Sequence, residues 1–410
     1  MDTHCDASMD PQPSPLYRRR LLGGLAVAVP AAAAGWAVAG RDRRPAARAP
    51  EAVTGVTGAA AAAAVAPEGP RQAGVDRPAQ PQQYTVLTVF DLTPPGGAAD
   101  RGAGEVRYPA ALLSDLGRRV LDVCGGAGEE LGGLPPGDLS VTVGVGPRLV
   151  AAVDGRLPGA AGLPEALDKA VPDLARQGDL MVQICAADPQ VVAHAERLLT
   201  SWLGERSALP RWSQDGFRPP VREPGPVRNL LGFLDGVSVP RTERDLAREV
   251  WLAGPERVRG ATVAVVRRLR LDVAGFLAQD VTRQERVVGR RRSDAAPLSG
   301  GGPAAAVDLG AKTPDGRYLV PLMSHVRRAH PAATGSGLML RRGYSFSNGP
   351  DDQGLLFIAF QRELRTYVET QRRLDDGDEL SAFATATASG TYLVLPGFSA
   401  LRPLGSSLFA

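Results

Sequence analysis

The sequence predicts an α+β fold in which two ferredoxin-like units pack together. Three observations predict it. From Tyr84 onward, short runs of strand-like alternation are interleaved with stretches of helical periodicity. After the break at Pro224 and Pro226 a similar order of elements recurs, so the chain reads as two comparable halves. The 410 residues are 44% hydrophobic and 22% charged, enough for two sizeable cores and ordinary for globular protein.

The first half opens at "YTVLTVFDL", an alternating run that reads as a strand. "YPAALLSDLGRRVLDVC" sets Leu112, Leu113, Leu116 and Val120 on one helical face. "LSVTVGVG" and "DLMVQICAAD" read as strands. In "DPQVVAHAERLLTSWL", Asp188 is the expected N-cap and Pro189 the first helical residue, with Val192, Leu199 and Leu203 turned inward. In the second half "ATVAVVRRLRLDV" is a strand and "TRQERVVG" helical. "LMLRRGYSF" and "GLLFIAFQ" are strands, "RELRTYVETQRRL" is a helix, and "TYLVLP" closes the set. The expected domains are residues 84–225 and 226–410.

Two segments precede them. Arg18, Arg19 and Arg20 stand before an apolar stretch from Leu21 to about Ala39, with Ala37 and Ala39 in an A-x-A pattern. Residues 1–46 read as a twin-arginine export signal, with an uncleaved membrane anchor as the alternative. That route carries folded proteins, which suits a chain loaded with a cofactor before export. Residues 47–83 are rich in Ala, Gly and Pro without periodicity and read as a disordered tether. No stable membrane span is expected once the signal is removed.

Composition and motifs exclude several chemistries. A net charge of +3 is too small to argue for nucleic acid. No Cys-x-x-Cys or HExxH speaks for zinc, no GxGxxG or Walker sequence for a nucleotide, and no G-x-S-x-G for an α/β-hydrolase. Of three cysteines, Cys5 falls in the signal; Cys124 and Cys185 read as buried thiols, with a disulfide between them as the alternative. Of four histidines, His4 falls in the signal and His194 sits mid-helix with a structural role. That leaves His325 and His330 in "PLMSHVRRAHP". One imidazole near arginine-rich segments fits an iron porphyrin, which needs an axial donor, guanidinium partners for its propionates and apolar walls. The other oddity is "NLLGFLDGV", where Asp235 stands in an apolar run bracketed by Gly232 and Gly236. It is either a turn residue or a carboxylate facing a pocket.

Several ordered segments carry a resemblance. "GFLDG" resembles the GxxDG motif of the dye-decolourising peroxidases, "QERVVGRRRSDAAPLSG" their run ahead of the haem ligand, and "HVRRAHP" their proximal-histidine segment. "LMLRRGYSF" looks like their distal-arginine segment and "GLLFIAFQRE" their pocket-lining strand. "TVFDL", "LSVTVGVGP", "GDLMVQICAADPQ" and "LPGFSALRPLGSSLF" are similar to the remainder, so the resemblance spans Tyr84 to Phe409. With the twin-arginine signal, it points to the exported branch that includes the EfeB-type iron-uptake proteins.

The resemblance implies an α+β fold of the dimeric α+β barrel type with one haem b per chain in the C-terminal half. It implies His325 as the iron ligand, with His330 as the competing ligand or a proximal neighbour. Asp235 would be the distal proton shuttle and Arg341 the distal arginine, with Arg342 the adjacent alternative. Arg290 would meet a propionate. Gly232, Phe233, Leu234, Gly236, Leu355 and Phe357 would line the cofactor. The implied reaction reduces hydrogen peroxide and, through a ferryl oxidant, takes single electrons from dyes or phenols. Bulky donors would pass electrons through surface aromatics, with Tyr367, Trp251, Trp212 and Tyr344 as candidates. The alternatives are haem or iron handling of the EfeB type and non-catalytic haem binding. The second is prompted by "GVSVPRTERD", where Val237 and Val239 replace polar residues of the family pattern. Homo-oligomerisation is left open.

Overall fold

A computed structural model describes residues 63–93, 101–126, 129–220 and 225–410. The expected export signal lies outside the described residues. Eleven strands are described: β1 (Tyr84–Leu92), β2 (Ser140–Val145), β3 (Leu180–Ala186), β4 (Ala208–Phe217), β5 (Val227–Arg228), β6 (Leu234–Asp235), β7 (Thr262–Leu271), β8 (Leu340–Arg341), β9 (Tyr344–Ser347), β10 (Gln353–Gln361) and β11 (Ala384–Val394).

The first half orders its strands β2-β3-β1-β4, with helix Arg101–Gly125 after β1 and helix Pro189–Gly204 after β3. The second half repeats this as β11-β7-β10-β9, with helix Leu364–Asp375 after β10 and β8 sharing an edge of β10 with β9. Each is the ferredoxin-like arrangement read from the sequence. Two short seams join them, β11 with β2 and β4 with β9, so the pairings close into an antiparallel barrel. Closure removes the free edges that an open sheet of this size would expose.

Side-chain alternation fills both faces of the barrel wall. Leu87, Val89, Ala264, Val266, Leu356, Ile358, Phe360 and Tyr392 fill the interior. Val86 and Phe90 point the other way and pack with Leu113, Leu116 and Val120 of the first long helix and Leu199 and Leu203 of the second. Asp188 caps that second helix, accepting from Gln190 N with Pro189 at its start, as expected. Cys124 and Cys185 are buried free thiols, and burial pushes Cys124 up to about 12.

The tether expectation is corrected at its C-terminal end. Gln72, Ala73, Val75 and Gln82 are buried. The β11–β2 seam has two backbone pairs, Leu393↔Val145 and Val394↔Gly144. At the next rung the Gln72 amide stands between the strands. Its Nε2 donates to Val143 O (2.8 Å) and Leu395 O (3.0 Å), and its Oε1 accepts from Val143 N (2.8 Å). An Ala/Gly/Pro-rich composition conceals this, because one glutamine supplies both donor and acceptor.

Candidate active site

Asp235 ends β6, which pairs with β5 in a small hairpin, Val227↔Asp235 and Arg228↔Leu234. Arg228 pins the hairpin, its Nη1 donating to Gly232 O and Arg292 O and its Nη2 to Ser293 O (each 2.7 Å). Gly232 and Gly236 have φ of +81° and +83°, which only glycine adopts without strain, and a Cβ on Gly232 would meet Arg292 Nε at 2.8 Å. Asn229 Oδ1 accepts from Leu231 N and Phe233 N, so the local turn is held by Asn229 and not by Asp235. Asp235 faces a hollow also lined by Asn229, Arg218, Ser345 and Leu355. Phe233 turns away into a small core with Leu231, Phe276 and Val287, its ring 6.1 Å from Phe276. Phe233, expected to line the cofactor, is thus part of that core, and the Asp235 side chain is 31% exposed.

Arg341 reaches the same place from β8. Its Nη2 lies 3.7 Å from Asp235 Oδ1, and its Nη1 donates to Ser238 O (3.1 Å). Asp235 Oδ1 also accepts from Gly236 N (2.6 Å), so the carboxylate is held through one oxygen and Oδ2 has no partner among the described residues. Arg342 goes the opposite way, as strand alternation requires. It is 3% exposed, donates to Pro78 O (2.9 Å), and burial lowers its pKa. Opposite Arg341 on β10 is Ala359, and on that same face stand Leu355 and Phe357, both half-exposed between buried neighbours.

Arg290 is 6% exposed and donates to Ala295 O (2.7 Å) and Ser238 Oγ (3.4 Å). Burial, then the charge of Arg341, lowers its pKa. No carboxylate pairs with it among the described residues. Ser238 thus ties Arg290 and Arg341 together, a role the sequence reading missed because one serine between Val237 and Val239 carries no signal.

His325 begins a short helix, His325–Arg328, and its Nδ1 lies 2.8 Å from Asp378 Oδ2. Asp378 is 7% exposed, and its other oxygen caps the turn at Leu380 N (3.1 Å). A carboxylate on Nδ1 fixes the tautomer with Nε2 as the free lone pair, the arrangement that orients metal-binding imidazoles. Asp378 was also missed, since "DDGDEL" reads as a solvated acidic run. His330 caps helix Pro331–Thr334, its Nδ1 accepting from Ala332 N (3.1 Å). Burial, then Arg290 and Arg327, lowers its pKa. That lone pair is committed to the cap, so His330 is a neighbour of Arg290 with less to offer a metal than His325.

The residues present fit a haem. An oriented imidazole, a half-exposed Leu355 and Phe357 face, and a buried guanidinium lacking an anion answer its iron, ring and propionate in turn. Of the aromatics expected at the surface, Tyr367, Trp251 and Tyr344 are at most 3% exposed. Each fills core and lies near a cation: Arg267 donates to the Tyr367 hydroxyl, Arg71 covers Trp251, and Arg218 sits 5.6 Å above Tyr344. Trp212 alone of the four is partly exposed.

Family comparison agrees with this geometry. Residues 73–218 match the model described as Dyp-type peroxidase, N-terminal, and residues 226–399 match Dyp-type peroxidase, C-terminal. The chain belongs to the Dyp-type peroxidase family. It is 33% identical over 363 residues to a dye-decolorizing peroxidase of Thermobifida fusca, covering 82% of this chain and 83% of that protein. It is 31% identical over 369 residues to a deferrochelatase of Escherichia coli, covering 80% and 83%. The solved oxyferrous complex of DtpA from Streptomyces lividans shares 32% identity and superposes with a TM-score of 0.76, over 85% of this chain and 98% of that one. This Dyp-type chain is therefore a haem-dependent peroxidase enzyme.

Proposed function

We propose that this Dyp-type peroxidase holds one haem b per chain on His325, with Asp235 and Arg341 as the working pair on the peroxide side. The carrying observation is that hairpin and barrel strand bring Asp235 and Arg341 within 3.7 Å while Arg342 is buried elsewhere. Bound haem would supply the iron redox chemistry that cleaves the O–O bond, which no side chain here can perform.

The chain's own residues do the rest. Asp235 Oδ2, free of hydrogen bonds, takes the proton from the inner oxygen of hydrogen peroxide and returns it to the outer one. Gly236 N–H and the Arg341 guanidinium hold Oδ1, so the carboxylate cannot swing while it works. Arg341 stabilises the negative charge that develops on the departing oxygen, from a position fixed by Ser238 O. Asp378 holds His325 in one tautomer, and Arg290 meets a propionate.

Reducing substrates give up one electron at a time. The partly exposed Trp212 remains the relay candidate for donors too bulky to enter. We further propose export by the twin-arginine route, on the strength of Arg18–Arg20 and the apolar run behind them. Among the described residues no helix is long and apolar enough to cross a membrane.

Stopped-flow mixing with peroxide tests the assignment. The haem-loaded protein should shift its Soret band within milliseconds, and Asp235→Ala and Arg341→Ala should slow that shift while still binding haem. Unchanged rates in both variants would remove the pair from the mechanism. Kinship with deferrochelatases supports a second reading, release of iron from intact haem. Appearance of metal-free porphyrin on anaerobic incubation would favour it.

A further inference from the structure

We propose that Met323 is a modification site: its thioether takes an oxygen atom from hydrogen peroxide, and the sulfoxide loosens the carboxylate support of His325. The consequence for haem rests on the reading of His325 as the iron ligand; the modification itself does not. The described methionines differ sharply in exposure. Met181 (0%) and Met339 (6%) lie within apolar clusters, whereas Met323 is 43% exposed. Susceptibility to oxidation follows access, and the oxidant is the peroxide that a peroxidase meets in every turnover. In the step a sulfur lone pair attacks one peroxide oxygen. The S–O bond forms, the O–O bond breaks, the sulfur is oxidised by two electrons, and the other oxygen leaves as water with both protons.

What the sulfur rests on gives that oxygen a consequence. A Cβ on Gly377 would stand 3.1 Å from Met323 Sδ and 3.5 Å from Arg328 Nη2. Thioether and guanidinium thus converge on the bare backbone of Gly377, whose φ of +127° also favours glycine. Met323 O accepts from Glu379 N (3.0 Å), and Arg328 Nη2 donates to Asp376 O and Oδ2. These bonds hold residues 376 and 379, on either side of Asp378, the carboxylate that meets His325 Nδ1 at 2.8 Å.

Arg328 is 4% exposed, and its Nε is buried without a hydrogen-bond partner among the described residues. A buried guanidinium with an unfilled donor favours a strong acceptor nearby. A thioether sulfur is a weak acceptor, whereas a sulfoxide oxygen is strongly polar. Oxidation would therefore draw Arg328 toward Met323 and away from Asp376, and would lift the thioether off Gly377. Asp378 would then lose its fixed place opposite His325. Excess peroxide would in this way weaken the anchor of the haem that consumes it.

The test treats haem-loaded wild type and Met323→Leu with hydrogen peroxide and maps their peptides by mass. Wild type should gain one oxygen at Met323 before any appears at Met181 or Met339. Haem transfer to a high-affinity acceptor should then be about tenfold faster for oxidised wild type and unchanged for treated Met323→Leu. Methionine sulfoxide reductase should restore the slow rate. Met323→Gln, a polar stand-in that needs no peroxide, should show the fast transfer and quicker hydrogen exchange at the Glu379 amide. Oxidation of Met181 or Met339 ahead of Met323, or Met323 sulfoxide with Glu379 exchange unchanged, would overturn the proposal. If exchange quickens while haem transfer does not, the His325 reading fails and the modification site stands.

Discussion

Asp378→Asn isolates what the buried carboxylate does for His325. Asparagine keeps the size of the side chain, and with its one acceptor oxygen toward His325 Nδ1 it puts a neutral hydrogen bond in place of the charged one, giving up the cap on Leu380 N. What disappears is the charge facing His325 Nδ1 at 2.8 Å. A charge-assisted hydrogen bond contributes about 1.5–3 kcal/mol, against about 1 kcal/mol for a neutral one, so the change removes roughly 1–1.5 kcal/mol. If His325 is the axial ligand, two readouts follow. Haem affinity should fall by about tenfold, the lower end of the effect of such supporting carboxylates. The ferric/ferrous potential should rise, because a negative charge behind the imidazole favours the more positive oxidation state. At about 59 mV per 1.4 kcal/mol for one electron, the rise is about 40–60 mV. Spectroelectrochemistry of wild type and Asp378→Asn reads the potential, and haem transfer to a high-affinity acceptor reads the affinity. A potential unmoved within about 10 mV, with the variant folded and haem-loaded, would refute the claim that this carboxylate acts on the iron through His325.

Conservative changes at the peroxide side should separate proton transfer from charge stabilisation. Asp235→Asn should slow the bimolecular reaction with peroxide about 10²–10⁴-fold, and Arg341→Gln about 10²–10³-fold, in rapid-mixing experiments. Gln72→Ala removes three hydrogen bonds at the barrel seam and should cost about 3 kcal/mol in urea unfolding without touching the site. In the haem-free protein His330 has a folded pKa below its ordinary value of about 6.5. Both states are neutral above that pH. Below it the unfolded chain takes up a proton that the folded chain resists, so stability is lost as pH falls and levels off below the folded value. His330→Asn keeps a capping side chain and should lack that acid-side loss when urea midpoints are compared from pH 7.5 to 4.5.

Much of the fold was legible because its signals are local. Alternation in "YTVLTVFDL" and "GLLFIAFQ", and the Asp188–Pro189 start of a helix, follow from backbone geometry that neighbouring residues decide. The strand rule also separates Arg341 from Arg342 once the strand is known. Barrel closure was legible only through the family resemblance, since seams of one or two pairs leave no periodicity, and the glutamine that finishes one of them left no sign at all. In the site, Asp235 stood out as a carboxylate among apolar residues, but Phe233, expected to line the cofactor, packs into a separate small core. Phe233 stands in the Asn229 turn just before β6, outside the strand, and its ring goes to Phe276. Asp378 and Ser238 were invisible for a different reason. Each acts on a partner far away in sequence, and sequence shows a lone polar residue in a loop the same way whether it meets water or a histidine.

The face around Arg341 makes sense only as half of something. The barrel interior is filled, so its inward residues have no capacity left for a ligand. On the outward face, Leu355 and Phe357 stay half-exposed, Phe357 even with its ring 5.8 Å from that of Tyr367 in helix Leu364–Asp375, although the same strand buries Leu356 and Ile358 completely. Apolar side chains left so are tolerable singly, but here they share a strand face with Arg341, which Ser238 ties to Arg290, a buried cation that meets no carboxylate among the described residues. A small polar ligand would answer the cation and leave the apolar face wet. A lipid-like ligand would answer the apolar face and leave Arg290 unpaired. One chemistry would answer both, a broad apolar disc with carboxylates at its rim, and on the proposed reading the oriented imidazole of His325 would supply the donor its centre requires. On that reading the half-exposed strand face and the arginine without a carboxylate are two parts of one binding surface.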